Sequence, residues 1–138
     1  MKNAVFSLTS YKFEKVEINA SNVPTEKISV DFNPRGEFNT TDHTFKVTLD
    51  FYVFQKELGV DNYFVMISCS SIFQLESVSS IEEVPNYFYK NSIAIVYPYI
   101  RAFVSSVTVQ ANIRPIILPT LNLSSLETPL KDNTIVVS

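Results

Sequence analysis

The feature that most constrains this chain is a single long helix signal, which falls between residues 91 and 123. Pro98 suits the first turn of a helix, where its missing N–H costs nothing, so we predict a helix over about 92–113. Apolar residues then recur at helical spacing and form one stripe: Ile100, Phe103, Val104, Val107 and Ala111. The chain can therefore cover a sheet with one helix, but it cannot form a helix bundle.

The helix is predicted to end near Asn112, because Pro115 and Pro119 forbid regular continuation. Residues 114–126 are still apolar, so we predict an extended segment that follows the helix. The tail after Leu126 is too short and too marked by proline for a substantial second helix, and it is expected to end as a short strand.

Four strands are predicted before the helix, over about 4–19, 27–38, 43–57 and 62–76. The third is the clearest, because its apolar residues alternate without a break: Phe45, Val47, Leu49, Phe51 and Val53. The turn residues between Leu58 and Asn62 predict that the third and fourth strands form a hairpin. The sequence from Asn33 to Gly36 has turn chemistry and is expected to interrupt the second strand.

The first strand has an irregular apolar pattern. Its apolar residues come in pairs, with a spacing of two within each pair and three between pairs: Phe6/Leu8, Tyr11/Phe13 and Val16/Ile18. Each slip moves the apolar side to the other face of the sheet. Either β-bulges correct the slips or the sheet is covered on both faces.

Four strands followed by one main helix indicate an α+β protein, with a four-stranded antiparallel sheet and the helix packed on one face. Residues 1–138 suit a single domain, because the chain contains no linker, no repeat and no low-complexity tract. Pro85 lies within a helical pattern over 82–90, which predicts a short or broken helix before the main one.

The composition excludes several classes of function. A hydrophobic content of 46% excludes a disordered chain, and the net charge of −3, with eleven scattered basic residues, excludes nucleic acid or an anionic membrane as a partner. We find no signal-like N-terminus and no later run that approaches the length needed to cross a bilayer. The protein is expected to be cytoplasmic, without membrane insertion.

The sequence contains no convincing catalytic set. His43, the only histidine, lies in a polar turn, and Cys69, the only cysteine, lies within a strand pattern where a small core side chain is expected. Glu82 and Glu83 are adjacent in a polar connector, which is typical of a solvated surface. We therefore expect no enzyme activity, no metal site and no cofactor.

Three motifs, at Tyr97–Arg101, Pro119–Leu123 and Ser71–Phe73, together resemble the SecB family of protein-export chaperones. The sequence Tyr97-Pro98-Tyr99-Ile100-Arg101 resembles the family's Phe-Pro-Tyr-Ala-Arg helix start. The sequence Pro119-Thr120-Leu121-Asn122-Leu123 resembles its Phe-Pro-Gln-Leu-Asn-Leu continuation, and Ser71-Ile72-Phe73 resembles its Gly-Ile-Phe at the end of the fourth strand. The likeness covers roughly residues 5–126 by element order. It implies a homotetramer, a dimer of dimers, in which long helices pack between sheets and aromatic-lined grooves hold unfolded polypeptide clients without ATP.

Eleven Phe and seven Tyr exceed what one sheet and one helix should hide, so part of this surface is expected to bind other chains. The candidate client-binding residues are Phe51, Phe54, Phe73, Tyr87, Phe88, Tyr99, Leu118 and Leu121. The candidate oligomer interface consists of Ile100, Phe103, Val104 and Val107.

Two departures from the family concern SecA, the motor that receives its clients. The family ends in a second helix and a basic, polar tail that docks on SecA, and this sequence is expected to lack both. Met66 also stands where the family has an acidic residue, six positions before the Ile-Phe pair. SecA binding is therefore expected to be weak.

The sequence leaves three functions open. The first is an ATP-independent holdase for unfolded preproteins, used in export or related client handling. The second is a dedicated SecB-like chaperone of a toxin–antitoxin pair, which would bind one partner tightly. The third is a structural assembly subunit whose apolar face is only an oligomer interface and binds no client.

Overall fold

The computed structural model describes residues 5–114, 116–118 and 121–138, and it consists of a twisted sheet covered on one face by a long helix. The strands are β1 (Val5–Ile18), β2 (Ile28–Asn39), β3 (Thr44–Gln55), β4 (Val65–Glu76) and β5 (Thr134–Val137), and the helices are α1 (Asn86–Gln110) and α2 (Glu127–Asp132). The order in the sheet is β1-β4-β3-β2-β5, with β5 parallel to β2 and every other pair antiparallel. The predicted α+β class is confirmed, and the strand count is corrected from four to five.

β-bulges account for the irregular pattern of β1. The pairing of β1 with β4 shifts between Leu8 and Ser10 and again between Phe13 and Lys15. After both shifts, all six apolar residues of β1 pair with residues on one face of β4, namely Leu75, Phe73, Ser71, Cys69, Ile67 and Val65. Directly paired residues share a face, so the bulges place the whole apolar set of β1 under α1.

The expected interruption of β2 is wrong, because β2 runs without a break through Pro34 and Gly36. The Gly36 N–H points away from β3 and donates to the carbonyl of Asn133 at 3.1 Å. Pro34 lies two residues earlier and has the same orientation, so its missing N–H would also face away from β3. A proline on the open edge of a strand costs the sheet no hydrogen bond.

The predicted start of the main helix is also wrong. α1 begins at Asn86, directly after Pro85, so Pro98 lies in the helix interior and not in its first turn. Pro98 removes one hydrogen bond to the carbonyl of Ala94, but both residues are exposed and that carbonyl can be hydrated. Residues 82–90 do not form a separate broken helix, since only Ile81–Glu83 is a 3-10 turn and residues 86–90 belong to α1.

The chain after α1 differs from the extended segment predicted over 114–126. Residues 116–118 are extended, Leu123–Leu126 form a 3-10 turn, and Pro115, Pro119 and Thr120 lie outside the described residues. The expectation of no second helix is wrong, because Glu127–Asp132 form the short α2, in whose first turn Pro129 is tolerated. The predicted terminal strand is present as β5.

α1 contacts the sheet through one continuous stripe of buried residues: Phe88, Tyr89, Ser92, Ile93, Val96, Tyr97, Ile100, Val104 and Thr108. The helix has 25 residues, and an 18-residue stretch within it has a mean hydropathy of 1.4, so by length and composition alone it could span a bilayer. This corrects the expectation that no run approaches that length. Core helices of water-soluble proteins have the same character, and here the apolar stripe is packed against the sheet.

Candidate functional site

An apolar groove follows the open edge of β2. On one side lie Ile28, Val30 and Phe32 of the strand, and on the other lies the chain after α1. The groove contains two neighbouring cavities of about 320 and 250 Å³. The first is lined by Val23, Pro24, Thr25, Glu26, Ile28, Arg114, Ile116 and Ile117. The second is lined by Val30, Asp31, Phe32, Leu121, Asn122, Leu123, Ser125 and Leu126. We call this surface the β2 groove.

The backbone of β2 points alternate N–H groups toward this groove. Lys27 accepts from the Lys56 N–H at 3.0 Å, so odd-numbered residues of β2 are bonded to β3, while even-numbered residues such as Gly36 point away from it. The N–H groups of Ile28, Val30 and Phe32 therefore lie on the open edge. β5 covers this edge only from Gly36 to Asn39, so the earlier part of β2 is an unpaired strand edge.

The outer wall of the β2 groove alternates between buried and exposed residues. Ile116 and Leu118 are buried, whereas Ile117 between them is 83% exposed, the highest exposure of any large apolar side chain in the described residues. The Ser105 hydroxyl donates to the Ile116 carbonyl at 3.3 Å and ties this wall to α1. The wall therefore places an exposed isoleucine beside the strand edge.

Charge in the β2 groove is confined to a few side chains. Glu26 and Arg114 lie at one end, and Asp31 lies near the other. A hydrogen bond with the Glu57 carboxyl raises the pKa of Glu26, since sharing a proton stabilises the neutral form. Most of the remaining lining is aliphatic, so the surface suits apolar side chains rather than a charged ligand.

Four of the eight predicted client-binding residues lie inside the protomer. Phe51, Phe73, Phe88 and Leu118 are fully or almost fully buried. Phe88 packs against Phe45 at 4.7 Å and against Phe73 at 5.5 Å between ring centroids. In this conformation these side chains form the core and present no surface to a client.

The other four are spread over three surfaces. Leu121 lines the β2 groove, and Phe54 lies on the sheet face opposite α1. Tyr87 and Tyr99 lie at the far side of the sheet beside β1, where Tyr99 stacks on Tyr11 at 4.4 Å. Only Leu121 lies in the β2 groove, so the eight residues do not form one site. Client binding by the exposed members remains a prediction.

The predicted oligomer residues lie on the inner side and flank of α1. Ile100 and Val104 are fully buried against the sheet, while Phe103 and Val107 are partly buried, with Phe103 stacked on Phe13 at 4.0 Å. The opposite face of α1 is exposed and combines the polar Asn91 and Arg101 with a set of small and apolar residues: Ala94, Ile95, Pro98, Tyr99, Ala102, Ser106 and Val109. We call it the outer face of α1. The interface assignment remains a prediction, and the outer face is the part of the helix that a partner can reach.

Several residues of the β2 groove are absent from the predicted site. Val30, Phe32 and Ile117 are apolar residues of a predicted strand and a predicted extended segment, but nothing in the sequence indicates that they line one groove. The sequence feature that could indicate the β2 groove is the presence of two apolar runs, one in the second strand and one after the helix. Their proximity depends on β2 being next to the edge of the sheet.

The residues tested for catalytic chemistry have structural roles. His43 Nδ1 lies 3.0 Å from the Val78 carbonyl and ties two loops together. Burial raises the pKa of Cys69 to about 11, which makes the thiol unreactive. Within the part of the chain that the structure describes, no three His, Cys, Asp or Glu side chains lie close enough to hold a metal ion.

A solved structure of another protein shares this fold. In the solved structure of the Mycobacterium tuberculosis Rv1957 SecB-like chaperone, in complex with a ChAD peptide from the Rv1956 HigA1 antitoxin, the protein chain superimposes with a TM-score of 0.66. The two chains are 18% identical, and the match covers 84% of this chain and 87% of that one. The fold therefore places the protein in the class of SecB-like α+β domains.

Sequence comparison defines the family itself. The sequence pattern of the family described as "Preprotein translocase subunit SecB" matches residues 6–128, and the chain belongs to the SecB family. The uncharacterized protein MJ0357 of Methanocaldococcus jannaschii is 30% identical over 83% of this chain and 68% of its own length. The protein-export protein SecB of Magnetococcus marinus is 24% identical over 88% of this chain and 82% of its own length.

Proposed function

We propose that this protein is an ATP-independent holdase that binds unfolded polypeptide segments in the β2 groove. The observation that carries the proposal is the exposed Ile117 beside an apolar strand edge. Membership of the SecB family supports a chaperone role, as does the likeness to a SecB-like chaperone that is bound to a peptide. The likeness to a protein-export protein supports preproteins as one class of client.

The dimensions of the β2 groove suit an extended segment. Cavities of about 320 and 250 Å³ lie at or below the smallest volumes typical of compact small-molecule sites, about 300–1,000 Å³. Side chains of an extended peptide can enter the two cavities in turn, because both follow one strand. Apolar contacts of this kind tolerate many sequences, as a holdase requires.

We propose that the protein assembles as a homotetramer, a dimer of dimers, through the outer face of α1. Ile95 and Val109 are exposed on this face, and the small side chains of Ala94 and Ala102 allow another chain to approach closely. Exposed apolar residues grouped on one helical face are typical of a surface that binds another chain. Assembly would leave the β2 groove open, since that groove lies at the opposite flank of α1 from β1.

The proposed place of action is the cytoplasm, with weak dependence on SecA. Met66 lies on the sheet face away from α1 and is almost buried, so this position offers no charge to a basic partner. Charged contacts mainly set association rate and orientation, and their loss would slow capture of the complex by the motor.

The test is aggregation of an unrelated, chemically unfolded protein, followed by light scattering without ATP. The protein should suppress scattering at near-stoichiometric ratios, and Ile117→Ser combined with Leu121→Ser should suppress it less. Leu58→Ser, which changes an exposed leucine in the connection between β3 and β4, serves as the control. Full activity of the double variant would move client binding to another surface.

A second function is favoured by one comparison, because the solved structure of the M. tuberculosis relative contains an antitoxin peptide. A dedicated antitoxin chaperone would bind one partner peptide tightly and leave the aggregating client unprotected. A structural assembly subunit would do neither, although it would still form the oligomer. The scattering assay, together with peptide binding, separates all three.

A further inference from the structure

We infer that Asp31 determines how the β2 groove holds its clients. Its carboxylate accepts a hydrogen bond from an N–H on the open edge of β2, so a client cannot add to the sheet there as a further strand and is held through its side chains instead. This inference rests on the proposed function. It starts from one short contact, in which the Phe32 N–H donates to Asp31 Oδ1 at 2.9 Å.

The contact matters because of where the Phe32 N–H lies. Even-numbered residues of β2 point their backbone groups to the open edge, and Phe32 is in the middle of that edge, beside the second cavity. An extended peptide that paired with β2 would need this N–H as a donor. The Asp31 side-chain oxygen already accepts from it, so an incoming strand would have to displace that hydrogen bond.

The neighbouring positions leave little else for an added strand. Pro34 has no N–H, and from Gly36 onward the edge is covered by β5. Only the Ile28 and Val30 N–H groups have no acceptor among the described residues. Native sheets limit edge-to-edge pairing with prolines and charged side chains, and β2 carries one of each within four residues.

This arrangement has a use in a holdase. A client that adds as a strand gains several directional hydrogen bonds and dissociates slowly, whereas a client held through apolar side chains can exchange. Asp31 would therefore favour segments with apolar side chains over segments with a high tendency to form strands. The residue acts through the backbone of Phe32 and needs no direct contact with the client.

The test compares two labelled peptides of alternating valine and serine in fluorescence anisotropy. One has a normal backbone, and the other is N-methylated at every second residue so that it cannot pair with a strand edge. The methylated peptide is made in two versions, with the methyl groups on the odd-numbered or on the even-numbered residues. The wild-type protein should bind the normal and methylated peptides within about threefold of each other. In Asp31→Ala the normal peptide should gain about fivefold in affinity while the methylated peptides do not, as expected for one or two net hydrogen bonds.

Asp31→Asn is the matched control, because it removes the charge but retains the side-chain oxygen that accepts from Phe32. It should behave like the wild type. The inference would be overturned if the ratio of the affinities for the normal and methylated peptides were the same in the wild type and in Asp31→Ala. It would also be overturned if the wild type bound the normal peptide more than tenfold more tightly than the methylated ones.

Hydrogen exchange in the free protein gives an independent measurement. The Phe32 amide should exchange faster in Asp31→Ala than in the wild type and in Asp31→Asn. Unchanged exchange would show that the Asp31 side chain does not protect the Phe32 N–H. If no peptide binds to any variant, the proposed client function fails and the role of Asp31 in client selection falls with it. Faster exchange would then still show that Asp31 protects the edge, so the two failures are distinguishable.

Discussion

Replacing Phe88 with alanine distinguishes a core residue from a client-binding one. The ring is fully buried and lies 4.9 Å from Phe6, 4.7 Å from Phe45, 5.5 Å from Phe73 and 5.8 Å from Tyr89 between centroids. Truncation of such a phenylalanine typically costs about 3–5 kcal/mol, because the cavity left behind collapses only in part. The surrounding rings are themselves fixed between β1, β3 and β4, so we expect a value near the upper end.

This loss is a large fraction of the total stability of a domain, about 5–15 kcal/mol. The thermal midpoint of Phe88→Ala should fall by on the order of 10–20 °C, measured by circular dichroism and by urea unfolding. The control is Tyr87→Ala, which changes the adjacent ring, is 40% exposed, and should cost about 1 kcal/mol.

The same variant tests where clients bind. At a temperature where Phe88→Ala is fully folded, its affinity for an unfolded peptide should match that of the wild type, since Phe88 does not line the β2 groove. An unchanged thermal midpoint together with lost peptide binding would refute the reasoning, and it would return Phe88 to the client site.

Three further predictions concern other parts of the molecule. Cys69 should react slowly with thiol reagents at pH 8, because its pKa is raised from 9 to about 11 in the folded state. The stability that this shift contributes below pH 9 should be lost as the pH rises toward 11, since the thiol of the unfolded chain ionises first. Cys69→Ala should remove this pH dependence of the free energy of unfolding in urea. Gly36→Ala should destabilise the protein by about 1–3 kcal/mol in urea unfolding, because the new Cβ would overlap the Thr134 hydroxyl oxygen of β5 and would lie 2.7 Å from the Phe45 ring; wild-type stability would show that both neighbours move freely. Ile95→Asp should dissociate the proposed tetramer to 15.7 kDa by light scattering with unchanged helix content, while Leu58→Asp should not; an oligomer that stays intact would place the interface elsewhere.

The bulges in β1 show what a sequence can predict when side-chain alternation is the only signal needed. The apolar pairs slip phase at two points, and the structure places an extra residue at both of them. The third strand was predictable for the same reason. In each case the alternation of apolar residues within one strand shows which side chains face the helix, so no knowledge of distant parts of the chain is needed.

Proline gave a misleading signal in both directions. By sequence alone Pro98 suits a helix start, but it lies inside α1, where the buried stripe outweighs the loss of one exposed hydrogen bond. Pro34 has the sequence context of a turn, but it lies within β2, where its missing donor faces the open edge. Whether a proline disrupts an element depends on where its N–H would point, which only the tertiary fold decides.

The residues of the β2 groove are harder to predict than the fold, because the candidate client-binding residues follow mainly from aromatic side chains. Phe51, Phe73 and Phe88 are the largest apolar groups of their elements, and burying them gains the most free energy, so they lie in the core. The most exposed apolar side chain is an isoleucine, Ile117. Ile116 and Ile117 are the same residue type, so the sequence alone does not show which of them is exposed. The structure shows it, because residues 116 and 118 face the core and residue 117 faces away from it.

The two flanks of the helix-covered sheet differ in a way that bears on both proposals. The outer face of α1 and the β2 groove share no residue, and Tyr99 extends the outer face toward β1, whereas the groove lies beside β2. A tetramer formed through α1 would therefore bring the apolar helix surfaces together and leave each groove accessible. Substitutions more than about 7–10 Å apart with no shared contacts usually act additively, so assembly variants and groove variants should combine without coupling. Strong coupling between Ile95→Asp and Ile117→Ser would instead mean that one client spans two protomers.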